Sequence, residues 1–73
     1  MRVDGAGRCP VYLTDREVDV LRLVALGMSD KLVARRLGIR PYTAKNHLRH
    51  VREKLAVPDR TAAVVVAMKA GLI

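Results

Sequence analysis

Seven side chains in one short stretch carry the chemistry best suited to a specific partner: Arg40, Tyr42, Thr43, Lys45, Asn46, Arg49 and Arg52. Lys45, Arg49 and Arg52 are spaced by four and then three, which places three cations on one face of a helix. Lys and Arg donate to O6 and N7 of guanine, and an Asn amide pairs with N6 and N7 of adenine. Lys45, Asn46 and Arg49 are therefore candidates for reading base edges. The plainer roles are a phosphate contact for the two cations and a solvated amide for Asn46. The hydroxyls of Tyr42 and Thr43 suit phosphate oxygens, although Tyr42 could equally pack against the preceding turn. Arg40 and Arg52 are expected, by reach, on the sugar–phosphate backbone rather than on bases.

Other chemistries find less support. His47 and His50 stand three apart, without a cysteine, carboxylate or third ligand to complete a metal site, and are expected to be structural or on the surface. Cys9 is the single cysteine, so neither an intrachain disulfide nor a multi-thiolate zinc site can form, and it reads as a free thiol. No nucleophile–base pair, paired carboxylates or phosphate-cradling glycine loop is visible. The expectation is a protein that is not an enzyme and takes no cofactor or metal.

Charge narrows the partner. The net charge is +7, which favours a polyanion: nucleic acid or an acidic membrane surface. Arg35, Arg36, Arg40, Lys45, Arg49, Arg52 and Lys54 crowd one segment opposed only by Glu53, while Asp15, Glu17 and Asp19 lie earlier. That is a basic face rather than an even sprinkle. The two tyrosines, Tyr12 and Tyr42, are the only aromatics, too few for a reader of single strands by base stacking. No apolar run approaches the roughly 20 residues that span a bilayer. Residues 1–7 carry Gly and Asp where a signal peptide needs an apolar core. A cytoplasmic location is expected, with double-stranded DNA as the partner and no membrane.

These residues need a scaffold, and its punctuation is legible. Residues 1–12 contain Gly5, Gly7 and Pro10 without periodicity and read as a flexible N-terminal arm; residues 13–73 read as the domain. Thr14-Asp-Arg-Glu17 is a capping box opening a helix over about 15–26, with Val18, Leu21, Val24 and Ala25 at helical spacing and Gly27 as the stop. Ser29 caps a short helix over 30–37, whose apolar stripe is Leu32, Val33, Ala34 and Leu37 and which Gly38 closes. Pro41 suits the first position of a third helix, about 41–55. Its Ala44, Leu48, Val51 and Leu55 form a buried stripe opposite the cations. Asp59 caps a fourth helix, about 60–70, ended by Gly71. The fourth is apolar nearly all round, so it must bury more than one face. A chain of 73 residues is small enough to be marginally stable alone. A second copy is the simplest cover, with Val64, Val65 and Met68 as the dimer candidates; their plainer role is to fill the monomer core.

The second and third helices are joined by only Gly38 to Arg40, a helix-turn-helix signature that places the third helix in the major groove. The run Leu13-Thr-Asp-Arg-Glu17, Leu21, Gly27, Ala34, Leu37-Gly38, Thr43, Lys45, His47-Leu48, Lys54-Leu55, Val57, Arg60 and Ala63 resembles the LuxR/GerE-type helix-turn-helix domain over about residues 13–73. The resemblance implies an all-α, four-helix domain with a central helix-turn-helix, a C-terminal dimerisation helix, and transcription regulation in bacteria. It implies base contacts at the positions of Lys45, Asn46 and Arg49, a phosphate contact at Thr43, and a structural role for Glu17. Two residues depart from the family pattern. Arg40 stands where Ser or Thr usually caps the recognition helix, and Ala44 stands where a larger aliphatic is usual.

The expected function is sequence-specific binding of double-stranded DNA as a homodimer on a roughly palindromic site. The alternative is a protein-interaction module acting on a partner regulator or on RNA polymerase. A sigma-factor-like helix-turn-helix is a nearer rival that the apolar fourth helix fits less well. Many proteins with this pattern carry a receiver or ligand-binding domain upstream, so the chain reads either as a stand-alone regulator or as an output domain.

Overall fold

Thr14 starts the first helix by the reciprocal hydrogen bonding that its sequence announces. Its hydroxyl accepts from the Glu17 N–H at 3.1 Å, and the Thr14 N–H donates to Glu17 Oε1 at 2.9 Å. The helix that follows, α1, spans Asp15–Ala25. In the computed structural model the described residues are 12–73; the arm expected over 1–12 (Tyr12 excepted) and the Cys9 thiol lie outside them. Ser29 caps α2, Asp30–Leu37, by accepting from the Leu32 N–H at 3.3 Å. Asp59 caps α4, Arg60–Lys69, by accepting from the Ala62 N–H at 2.8 Å. Between them α3 spans Pro41–Leu55, with Pro41 in its first turn. Among the described residues all regular structure is helical, in the order α1 to α4.

The α2–α3 turn depends on Gly38, which closes α2 at φ +69, a conformation that side chains with a Cβ disfavour. There the Ile39 N–H donates back to the Ala34 carbonyl at 2.9 Å. The end of α3 has the same geometry without a glycine. Ala56 sits at φ +57, and the Val57 N–H donates to the Arg52 carbonyl at 3.0 Å. Pro58 is an obvious breaker in the sequence, but the stop itself is this left-handed alanine.

The core gathers Leu13, Val20, Leu21 and Val24 from the α1 region, Val33 and Ala34 from α2, Ala44, Leu48 and Val51 from α3, and Ala63 and Ala67 from α4. Both α1 and α3 pack against all the other helices, whereas α2 and α4 do not pack on each other. The recognition-helix candidate is thus seated from three sides. Ala44 is fully buried although it is smaller than the residue the resemblance implies.

Leu32 departs from expectation. It is 49% exposed rather than part of the buried stripe. The period explains why: Val33, Ala34 and Leu37 share one arc of the helix, and Leu32 falls about 100° outside it. An eight-residue helix with one packed side cannot bury three consecutive residues.

Candidate nucleic-acid interface

The α3 face opposite Ala44, Leu48 and Val51 is where the expected DNA-facing residues emerge. Lys45 and Arg49 are exposed, Asn46 is half-buried beside them, and Tyr42 stands out at 72% exposure. Tyr42 therefore does not pack away its ring against the turn. Thr43 is half-buried in the first turn, and Arg40 is exposed at the N-cap. Arg40 makes no side-chain capping bond and no acidic residue occupies the first turn of α3, so its positive end is left uncompensated.

An open cleft of about 360 Å³ runs along this face. Tyr42, Lys45, Asn46, Arg49 and Arg52 line it from α3. Asp30 of α2 and Arg60 of α4 line it from the other side, joined to each other by an ion pair at 2.6 Å. Arg40 and Thr43 are not part of the cleft. Sequence reasoning missed Asp30 and Arg60 as site residues, because a contact between positions thirty apart leaves no periodic trace.

Behind the site, Glu17 and Lys54 form a second ion pair at 2.7 Å, tying the start of α1 to the end of α3. Burial pushes the Glu17 carboxyl up. The hydrogen bonds from Lys54 and from the Thr14 N–H, with the charges of Lys54 and His50, outweigh burial and hold it below its ordinary value. Glu17 thus both completes the α1 cap and braces α3 against it. The Lys54 ammonium also lies 5.9 Å from the centroid of the Tyr12 ring. His47 is half-buried and His50 exposed; among the described residues no group of three or more His, Cys, Asp or Glu gathers round a possible metal position.

The three dimer candidates divide. Val64 is half-buried and packs on the core, whereas Val65 and Met68 are 45% and 61% exposed. Val64 and Val65 line a groove with Val24 and Met28, separate from the basic cleft except at Arg60.

The family model described as bacterial regulatory proteins, luxR family, matches residues 11–67. The chain belongs to the luxR family. It is 40% identical over 60 residues to the transcriptional regulatory protein LnrK of Bacillus subtilis, covering 82% of this chain and 27% of LnrK. It is 43% identical over 53 residues to the nitrate/nitrite response regulator protein NarL of Escherichia coli, covering 73% of this chain and 24% of NarL. The solved structure of the transcription factor GerE matches with a TM-score of 0.78 at 30% identity, covering 81% of this chain and 88% of GerE. The four-helix arrangement is accordingly the GerE-like helix-turn-helix fold, and the luxR-family chain is a DNA-binding domain of the transcription-regulator type. It spans about a quarter of the length of LnrK and of NarL. No helix among the described residues is long and apolar enough to cross a membrane.

Proposed function

We propose that this luxR-family domain reads double-stranded DNA by sequence, with α3 in the major groove. The observation that carries the reading is the outward cluster of Lys45, Asn46 and Arg49 on a helix whose opposite face is sealed by Ala44, Leu48 and Val51. Such a helix presents its donors at fixed positions, and fixed donors distinguish base edges. Lys45, Asn46 and Arg49 contact bases. Arg40, Tyr42, Thr43 and Arg52 contact the sugar–phosphate backbone and set the register.

The domain acts as a homodimer through α4, with Val64, Val65 and Met68 at the interface. Two copies place two recognition helices on half-sites about one helical turn apart, on a roughly palindromic operator. The setting is the bacterial cytoplasm, on the nucleoid when bound.

Selection of bound sequences from a random duplex pool tests this, followed by anisotropy titrations over a salt series. The expected result is a palindromic motif and a steep fall in affinity with salt, because phosphate neutralisation releases counterions. Binding without sequence preference, or without salt dependence, overturns it.

A further inference from the structure

Arg52 is the one residue of the basic stripe that the outward face does not account for. Its Nε is buried and has no hydrogen-bond partner. A buried guanidinium N–H without an acceptor carries a desolvation cost, which an anionic acceptor would offset. The cleft around Arg52 also holds Lys45, Arg49 and Arg60, against the single carboxylate of Asp30. That carboxylate is already engaged: Asp30 Oδ1 accepts from Arg60 Nη2 at 2.6 Å. The pair bridges α2 and α4, which do not otherwise pack together, and so holds Arg60 at the edge of the cleft opposite α3.

We propose that this cleft is a receptor for one phosphate oxyanion of the DNA backbone, gripped between Arg52 and Arg60. Guanidinium forks match phosphate oxygens better than any other cation, and two forks from different helices converge on one group. Asp30 is a positioning residue that keeps Arg60 over the site. Arg60 thereby adds a phosphate contact from α4 to those on α3, and that contact anchors α3 from its C-terminal half while the bases are read from its first half. The inference rests on the DNA-binding reading above.

A methylphosphonate scan of the selected operator, one uncharged linkage at a time, tests it against the wild-type chain and the R52Q/R60Q variant. The double variant should reduce the slope of log affinity against log salt by about 0.9 per half-site, the value of one phosphate. At one position per half-site, the neutral linkage should weaken the wild type and leave the double variant unaffected. If R52Q/R60Q does not fold, R60Q alone enters the same scan, since it removes only one partly exposed ion pair. K69Q, an exposed lysine at the far end of α4, should leave the slope unchanged.

The Arg52 Nε–Hε resonance supplies the second readout. A shift with operator DNA, and none with millimolar inorganic phosphate, assigns the phosphodiester as the ligand. A shift with inorganic phosphate but not with DNA overturns the backbone assignment. Equal methylphosphonate penalties in wild type and variant at every position overturn the cleft while leaving sequence-specific binding intact. Loss of sequence preference in the wild type is instead a failure of the underlying DNA reading.

Discussion

Lys45 and Arg49 share a charge with Arg52, but not an environment. The first two stand free on the outer face of α3, whereas the Arg52 Nε is enclosed. A freely presented cation at a base edge confers discrimination, about 1–3 kcal/mol for a good bidentate pair. Lys45→Ala should therefore weaken specific binding by more than it weakens binding to random duplex. Parallel anisotropy titrations measure both, and equal losses would demote Lys45 to a phosphate contact. The face that Lys45 occupies was legible from spacing alone. The cleft around Arg52 was not, because Asp30 and Arg60 line it too, and only the fold brings them alongside.

Glu17 shows the same limit from another direction. Its capping role was written in Thr14-Asp-Arg-Glu17, and the structure shows both bonds of the box. Its partner Lys54, thirty-seven positions away, left no local signal. Because the folded-state carboxyl lies below its ordinary value of 4.5, Glu17 stabilises the fold fully above that value. The contribution fades as pH falls through the lowered folded value, where the native carboxylate takes up its proton. Glu17→Gln keeps the hydrogen-bonding shape of the cap and removes the charge. It should cost about 1 kcal/mol at neutral pH, discounted because Lys54 is partly in solvent. Urea denaturation across the acidic range should show wild type and variant converging as pH falls below about 4.5. A constant difference at every pH would mean that packing, not charge, is what Glu17 supplies.

At the scale of the element, α3 is bounded by two residues that trade stability away. At its start Arg40 supplies no capping acceptor, and at its end Ala56 takes a left-handed turn that glycine tolerates without strain. Arg40→Ser should restore the cap and raise stability by about 1 kcal/mol, seen as a melting temperature higher by about 4–8 °C for a domain of this size. If Arg40 serves the DNA backbone, the same variant should lose about 0.9 of the salt slope per half-site. Greater stability with an unchanged slope would remove Arg40 from the interface. Ala56→Gly should stabilise by about 0.5–1 kcal/mol, because relief of the left-handed conformation exceeds the added chain entropy. A lower melting temperature would show that the Ala56 methyl packs usefully. Pro41 and the 4-3-4 spacing made the bounds of α3 readable, since both act locally. The Ala56 turn was hidden because alanine ordinarily continues a helix.

For the whole molecule the open question is how α4 is covered. The sequence argued for a partner because the helix is apolar nearly all round, and the fold buries only Ala63 and Ala67 completely. Val64 is already engaged with the core, so the pressure for an additional surface falls on Val65 and Met68. These two are three apart and lie on one side of the helix, the arrangement by which a self-complementary two-fold contact repeats along paired helices. A domain this small also gains stability from association, which links its melting temperature to its concentration. Val65→Lys with Met68→Lys should give a chain that sediments as a monomer and whose melting temperature no longer rises with concentration. Affinity for a full two-half-site operator should drop by about 10²-fold or more as the linked second contact is lost, while affinity for an isolated half-site stays the same. That pairing of results separates an interface from a damaged reader: a variant that loses the half-site as well has been perturbed at α3. A variant that still forms dimers and still binds the full operator at wild-type affinity would place the interface elsewhere. The apolar α4 face would then need a different occupant.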